Sequence, residues 1–316
     1  MFKANIFRLS AEVIPMKTVA VLMSTYNGEK YLKEQLDSLL KQKKENFDIH
    51  YYIRDDGSTD ETKTVLENYR TKYPDCFTIE YGDNRGFIRS FMLTLEMTSQ
   101  EDYYAFCDQD DVWMDNKILA AVKKLEECHG RPSLYCSNCI MVNSKLEPIG
   151  FLRTRDWPIY ESKVMAITYP FAFGCTMVFN RELKKEVMRY SPKYLHEHDF
   201  WISMVCTYIG NVIYDKNSYI LYRRHTNNYT RLSIKRMIEL KVNEFRLGNY
   251  YSRVAWDLMQ GYSSDIEKKD AKDLFLIMHY KENIKAKLKL LVSKDIKKRR
   301  RLGTLSLKIM ILFSRF

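Results

Sequence analysis

The 316-residue sequence lacks any apolar run long enough to cross a membrane. Its last apolar segment, residues 302–316, is interrupted by Lys308 and falls short of the roughly 20 residues that a spanning helix needs. Residues 1–16 contain charged side chains and no apolar core of a signal peptide. We therefore expect neither a transmembrane helix nor a secretory signal. Residues 1–16 are treated as an N-terminal extension, and Met16 is an alternative start because the first strand pattern follows it.

The sequence also lacks the paired cysteine spacing of a disulfide framework. It contains an odd number of cysteines, seven, scattered along the chain. Cys136 and Cys139 form a lone C-x-x-C pair inside an apolar run, with no second pair to complete a zinc site. We interpret these two as buried thiols and expect a reducing, cytoplasmic location.

Glycine-rich phosphate loops are missing as well. The sequence contains neither G-x-G-x-x-G nor G-x-x-x-x-G-K-[ST], which argues against a nicotinamide enzyme and against an ATPase. No glycine-rich loop with Arg and Lys follows the first strand, so a nucleotidyltransferase is also disfavoured. No internal repeat or low-complexity linker is found.

The net charge of +11 is concentrated at the C-terminus. Residues 281–316 contain twelve Lys or Arg against Glu282 and Asp295, a surplus of ten, so the rest of the chain is near neutral. We therefore expect no nucleic-acid partner. The basic, partly apolar tail fits two alternatives: a segment on an anionic membrane surface, at the inner face of the plasma membrane, or a helix packed on the protein with a solvated basic face.

Apolar periodicity predicts an α/β fold with a doubly wound, mostly parallel sheet flanked by helices. Strand patterns at residues 18–24, 50–54, 77–81 and 103–107 alternate with helical patterns. After residue 233 the sequence predicts a C-terminal helical extension, with helices over residues 234–260 and 265–292, followed by the apolar tail.

Polar clusters follow three of these strands, at residues 26–28, 55–57 and 108–111. In a parallel sheet the carboxyl ends of the strands meet in one crevice, where ligands bind. The cluster at 108–111, with three Asp, predicts a site for a hard divalent cation, Mg2+ or Mn2+, because its carboxylates would otherwise repel one another. The alternative is an acidic turn that caps the next helix.

The motifs STYNG (24–28), DDGSTD (55–60), NRG (84–86) and DQDDVW (108–113), in this order, resemble family 2 glycosyltransferases, and the last resembles the rhamnosyltransferase-like branch. The resemblance covers about residues 17–229. It implies a GT-A catalytic domain at residues 17–230, with a nucleotide-binding half (17–115) and an acceptor half (116–230). Residues 231–316 then form the helical, basic region.

The resemblance also implies roles for individual residues. Asp199, in the segment HEHDFW, falls where the family has its general base, which takes the proton of the acceptor hydroxyl. Asp110 is the first choice of metal ligand, and His225 is a second, for which a structural role is the alternative. Gly174 and Trp201 fall on the acceptor side. The residues implied to bind the nucleotide sugar are Ser24, Thr25, Tyr26, Asp55, Asp56, Asn84, Arg85, Asp108, Arg223 and Arg224.

Together these features predict an inverting transferase that moves a sugar from a nucleotide diphosphate donor to a saccharide acceptor. The DQDDVW motif favours L-rhamnose carried on dTDP, with UDP-glucose or UDP-galactose as the alternative donor. The tail favours a lipid-linked acceptor in the synthesis of a bacterial cell-surface polysaccharide. A non-catalytic nucleotide-sugar-binding subunit is a second alternative, which loss of the Asp199 carboxylate would leave unaffected.

Overall fold

The computed structural model describes residues 16–152, 160–194, 196–224, 245, 248–298 and 301–316. The strands are β1 (Lys17–Thr25), β2 (Phe47–Asp55), β3 (Phe77–Tyr81), β4 (Tyr103–Cys107), β5 (Val112–Trp113), β6 (Ser133–Val142), β7 (Pro148–Phe151), β8 (Met177–Asn180) and β9 (Asn211–Arg223). The helices are α1 (Glu29–Leu40), α2 (Thr62–Lys72), α3 (Phe87–Glu96), α4 (Lys117–Glu126), α5 (Lys163–Thr168), α6 (Arg181–Arg189), α7 (His198–Ile209), α8 (Tyr250–Tyr262), α9 (Lys268–His279), α10 (Ile284–Val292) and α11 (Arg301–Leu312).

All nine strands join one sheet in the order β3-β2-β1-β4-β8-β6-β9-β5, with β7 paired to β6. β1 pairs in parallel with both β2 and β4, and β2 with β3. The apolar centre of β1 is fully buried, because helices cover both faces of a parallel sheet. The predicted α/β class with flanking helices is confirmed, and the carboxyl ends of β1, β2 and β4 open on one edge.

The second half of the sheet is mixed rather than parallel. β8 lies between β4 and β6 and runs antiparallel to both, and β5 is antiparallel to β9. Only β6 and β9 pair in parallel there. Strands of two to four residues carry too little periodicity to be recognised from sequence, so β5 and β7 are not predicted, whereas β8 overlaps the strand-like pattern of residues 171–179.

The C-terminal helices pack on the same apolar core as the sheet. That core includes Phe106 of β4, Leu258 of α8 and Leu307 of α11. The helix predicted over residues 265–292 is two helices, because Asn283 caps α10 by accepting a hydrogen bond from the backbone N–H of Ala286. Of the helix predicted over residues 234–260, the structure describes only the C-terminal part, within α8.

Three sequence predictions fall on residues that the structure does not describe. They concern the N-terminal extension before residue 16, the domain boundary at residue 230 and His225. Within the described residues, no helix has the length and apolar character needed to cross a membrane.

Asp257 of α8 anchors the segment that leads into α7. Its buried carboxylate accepts hydrogen bonds from the Tyr190 hydroxyl (2.8 Å), the backbone N–H of Lys193 (2.7 Å) and of Tyr194 (3.3 Å), and Nε2 of His196 (2.9 Å). Burial opposes ionisation of this carboxyl, but the donors outweigh burial and lower its pKa. The C-terminal helices therefore fix the residues immediately before α7.

Replacing Asp257 by Ala should destabilise the protein strongly. The substitution leaves a buried His and two backbone N–H groups without an acceptor, which costs about 3–5 kcal/mol. Asp265→Ala is the matched control, since Asp265 forms an exposed ion pair with Arg189, worth less than about 1 kcal/mol. Urea unfolding measures both, and equal losses would show that the Asp257 network does not support the fold.

Candidate active site

Gln109 joins the turn after β4 to the turn after β1. Its side-chain oxygen accepts from the backbone N–H of Tyr26 (2.9 Å), and its amide donates to the carbonyl of Tyr26 (3.0 Å). This approach requires glycine at position 28, because a Cβ on Gly28 would lie 2.3 Å from the Gln109 side-chain oxygen. The motifs STYNG and DQDDVW are therefore interlocked.

Asp55, at the end of β2, holds the turns after β1 and β2. Its fully buried carboxylate accepts from the Thr25 hydroxyl (3.0 Å), and from the backbone N–H (3.0 Å) and hydroxyl of Ser58. Both Thr25 and Asp55 were predicted to contact the donor. The structure instead buries them beneath the turn, where they shape the crevice.

Asp56 anchors the loop that carries the NRG motif. Its carboxylate accepts from the backbone N–H groups of Arg85 (2.9 Å) and Gly86 (2.9 Å) and from the Arg54 guanidinium. Because Asp56 binds this loop through its backbone, the side chains of Asn84 and Arg85 stay exposed.

Two residues at the end of β1 that were predicted to bind the nucleotide sugar differ in solvent accessibility. Ser24 donates its hydroxyl hydrogen to Ser90 of α3 (2.7 Å) and is partly buried. Tyr26 is 47% exposed, although its backbone is fixed by Gln109. An exposed aromatic ring on a fixed backbone suits stacking on a base or a sugar.

The carboxylates of Asp108, Asp110 and Asp199 come together in the crevice. Burial, and then the negative charges of Asp110 and Asp199, raise the pKa of Asp108 to about 7. The sequence predicted Asp108 and Asp110 to share one site with Asp199, which comes from a distant element, α7. Asp199 binds the backbone N–H of Gly174 (2.9 Å), and the thiol of the adjacent Cys175 lies within 4.8 Å of the Asp108 carboxylate, so the fold brings α7 to the end of β4.

Asp199 lies in the first turn of α7, against Gly174. One carboxylate oxygen accepts from the backbone N–H of Gly174 (2.9 Å) and the other from that of Phe200 (2.7 Å). A Cβ on Gly174 would lie 3.1 Å from Nε2 of His198 and 3.5 Å from the Cβ of Asp199. Gly174, which was assigned to the acceptor side, thus adjoins the predicted base, and it is buried between His198 and Asp199.

Arg223 does not lie where a diphosphate-binding residue should. Its guanidinium is buried and donates to the carbonyl oxygens of Asp110 (2.7 Å) and Ser144 (2.9 Å) and to the Glu34 carboxylate. Arg223 therefore fixes the DQDDVW turn to the end of β9. Arg224, the next residue, is partly exposed, with its backbone N–H bonded to the carbonyl of Val142 (2.7 Å).

Trp201 was also misplaced by sequence reasoning. Its side chain is 2% exposed and stacks on the ring of His196, with centroids 5.4 Å apart. Because α7 turns this residue toward the C-terminal helices, its ring packs in the core and presents no open face to an acceptor.

Sequence reasoning missed a buried lysine behind the acidic turn. Lys117 is 1% exposed, with its ammonium 3.6 Å from the centroid of the Trp113 ring, and burial lowers its pKa to about 8. Nearby Asp111 is fully buried and accepts from the backbone N–H of Arg223 (3.0 Å). The only sequence signal was the position of Lys117, just after DQDDVW.

The family is decided by comparison with known proteins. The sequence model for glycosyl transferase family 2 matches residues 20–188, more than half of the chain. The chain belongs to glycosyl transferase family 2. This transferase is 30% identical over 223 residues to the dTDP-rhamnosyl transferase RfbG of Shigella flexneri, covering 67% of this chain and 74% of that protein. An uncharacterized glycosyltransferase of Rickettsia typhi is 24% identical over 227 residues, covering 70% and 68%.

Solved structures confirm the GT-A fold. TarS of S. aureus in complex with UDP superposes with a TM-score of 0.56 at 18% identity, covering 88% of this chain and 75% of that one. The mannosyltransferase PcManGT of Pyrobaculum calidifontis, in complex with GDP-Man and Mn2+, gives a TM-score of 0.52 at 18% identity, covering 94% and 74%.

The acidic side chains of this transferase fit a hard divalent cation. The ligand atoms of Asp108, Asp111 and Cys175 lie within 4.8 Å of one another. Burial raises the pKa of the Cys175 thiol well above its usual range, so the sulfur keeps its proton, and hard ions prefer oxygen ligands. Of the residues in this group, Asp108 and Asp111 therefore carry the suitable donors and Cys175 does not; Asp110, the predicted ligand, is not one of the three.

A double-mutant cycle tests the interlock between Gly28 and Gln109. Gly28→Ala should destabilise the transferase by about 1–3 kcal/mol, since the new methyl group displaces the Gln109 side chain. In a Gln109→Ala background the same substitution should cost much less, because the obstructing side chain is gone. Guanidinium unfolding of the four proteins measures the coupling. Additive losses would contradict the interlock.

Proposed function

We propose that this transferase moves L-rhamnose from dTDP-L-rhamnose, with inversion, to a hydroxyl of a growing, lipid-linked cell-surface saccharide. The similarity to the Shigella flexneri dTDP-rhamnosyl transferase supports this donor. The DQDDVW motif, whose turn is interlocked with the STYNG turn, supports the same branch of the family. Transfer from UDP-glucose or UDP-galactose is the alternative.

The observation that carries the proposal is that Asp199 binds the backbone N–H of Gly174, while the thiol of the next residue, Cys175, lies within 4.8 Å of the Asp108 carboxylate. A single displacement needs a carboxylate that takes the proton of the attacking hydroxyl. Asp199 fits this role because two backbone N–H groups hold its carboxylate in place at the start of α7. A positive helix N-terminus favours the ionised form that accepts the proton.

Asp110, together with Asp108, would hold the divalent cation, Mg2+ or Mn2+. When bound, the ion offsets the charge that develops on the departing diphosphate. Arg223 positions this turn by binding the carbonyl of Asp110. The structure of the mannosyltransferase neighbour in complex with GDP-Man and Mn2+ agrees with this assignment.

The donor nucleotide would lie between the turns after β1 and β2 and the NRG loop. Tyr26 offers its exposed ring for stacking, and the Asp56 carboxylate borders the same space. The exposed side chains of Asn84 and Arg85 line the adjoining loop, and Arg224 is the remaining candidate for the diphosphate. In this division, residues 17–115 would bind the nucleotide and residues from 116 onward would face the acceptor.

Asp199→Asn should abolish transfer while leaving the donor bound. An amide cannot take the hydroxyl proton, so kcat should fall by about 10²–10⁴-fold with the donor KM unchanged. Glu197→Gln is the matched control: Glu197 is exposed, accepts from the Tyr250 hydroxyl (2.7 Å) and should tolerate the change within a few-fold. Transfer retained by Asp199→Asn would exclude Asp199 as the base and favour a non-catalytic binding subunit.

A panel of nucleotide sugars tests the donor. dTDP-L-rhamnose with Mn2+ should stabilise the transferase against heat, by roughly 2.7 kcal/mol at a hundredfold excess over Kd. UDP-glucose and UDP-galactose should stabilise it less, and EDTA should remove most of the effect. In the Asp110→Asn variant, the donor should give the same thermal stabilisation with Mn2+ as without it. A larger effect of the UDP sugars would overturn the rhamnose assignment.

A further inference from the structure

Helix α10 has two apolar faces. Ala286 and Leu290 are buried against the core. Ile284, Leu288 and Val292, which recur every four residues, are 67%, 55% and 79% exposed. An amphipathic surface helix normally places charged residues on its outer face.

Helix α11 repeats this arrangement beside α10. Leu307, Met310 and Ile311 are buried, whereas four other apolar side chains of the helix, from Leu302 at 80% to Ile309 at 40%, and Phe313 just after it are exposed. Lys308 joins the two helices by donating to the carbonyls of Leu290 (3.0 Å) and Ser293 (2.7 Å). The apolar stripe is defined as Ile284, Leu288, Val292, Leu302, Leu305, Ile309, Leu312 and Phe313. Soluble monomers rarely expose this much apolar surface on two neighbouring helices.

A basic cleft of about 510 Å³ lies between the residues that follow α10 and the start of α11. Its described lining contains no acidic side chain and five basic ones: Lys294, Lys297, Lys298, Arg301 and Lys308. Lys297 pairs with Glu161 (2.6 Å), and Lys308 binds the carbonyls that end α10. Lys294 and Arg301 are exposed and available for an anion.

We propose that the basic cleft and the apolar stripe form one docking surface for an anionic membrane. Lipid phosphates would bind the cleft, and the stripe would enter the headgroup boundary. The charge of residues 281–316, a surplus of ten, complements an anionic leaflet. A basic patch beside an apolar face supplies the two signals that stable membrane binding needs. The inference rests on the proposed function only for the lipid-linked acceptor that such docking would serve.

Two other occupants fit these observations less well. A second copy of the chain would bring two strongly basic segments together, and like charges at an interface repel. RNA or a soluble polyphosphate would use the basic cleft but leaves the apolar stripe without a role. Only a lipid surface satisfies both parts.

Flotation of the full-length chain with vesicles tests the proposal. The protein should float with vesicles of phosphatidylcholine mixed with phosphatidylglycerol and not with phosphatidylcholine alone. Lys294→Gln with Arg301→Gln should lower partitioning roughly 25-fold, since each basic side chain near an anionic surface contributes about fivefold. Lys63→Gln with Lys185→Gln, exposed lysines on α2 and α6, is the control of equal charge and should change little.

Leu302→Ser with Leu305→Ser tests the apolar stripe. This variant should also float less, and the deficit should persist in high salt, which screens only the electrostatic part. Four outcomes would overturn the proposal. The wild-type protein could stay unbound, or the lysine control could lose as much flotation as the docking variant. Inorganic pyrophosphate could release the protein fully while the serine variant floats normally, or the stripe could support self-association without any flotation.

Sugar transfer to a soluble acceptor separates this inference from the proposed function. The docking variants should keep the wild-type rate in solution, because none of the substituted residues lies in the crevice. Flotation without any transfer would contradict the proposed function and leave the docking surface standing. Transfer without flotation would contradict the docking surface and leave the proposed function standing.

Discussion

The structure depends on how its buried carboxylates are satisfied. Asp55, Asp56 and Asp257 are each surrounded by donors from neighbouring turns, so their negative charge holds loops in place. The carboxylate of Asp108 instead lies near other carboxylates, and burial, followed by the negative charges of Asp110 and Asp199, raises its pKa. Carboxylates of the first kind form the frame, and those of the second kind are the proposed site of the cation. An aspartate therefore stabilises the fold when hydrogen-bond donors surround it, and it is suited to binding a cation when other carboxylates surround it.

Much of this frame could be predicted from sequence, because apolar periodicity reports burial directly. The predicted strands at residues 77–81 and 103–107 match β3 and β4, and the polar turns converge as parallel strands require. The antiparallel pairings of the mixed half could not be predicted, since an apolar pattern indicates a strand but not its direction, and β5 is too short to show a period. The direction in which a side chain points could not be predicted either. The arginine pair at 223 and 224 suggested a phosphate-binding site, but the side chain of Arg223 points inward and binds the carbonyl of Asp110. Residue type gives the chemistry available, whereas only the fold decides what it faces.

The C-terminal helices belong to the catalytic frame as well as to the surface. Asp257 of α8 fixes the residues before α7, the helix that carries Asp199, and the Tyr250 hydroxyl binds Glu197 (2.7 Å), two residues before the proposed base. The sequence predicts C-terminal helices, but it does not indicate that α8 contacts the segment that carries Asp199. The reason is that these contacts join residues about sixty positions apart, by single polar side chains that leave no periodic pattern.

The same helix α8 also receives the end of the chain. The backbone N–H of Asn249 donates to the carbonyl of Arg315 (2.8 Å), and the Ser252 hydroxyl donates to the carbonyl of Phe316 (3.0 Å), while Phe316 itself is fully buried. A short chain of packed elements therefore joins the surface of α10 and α11 to the segment that carries Asp199. If that surface rests on a lipid leaflet, α8 gives the crevice a fixed orientation toward the leaflet. A fixed orientation favours transfer to an acceptor held in the membrane, because the acceptor then meets Asp199 in few alternative poses.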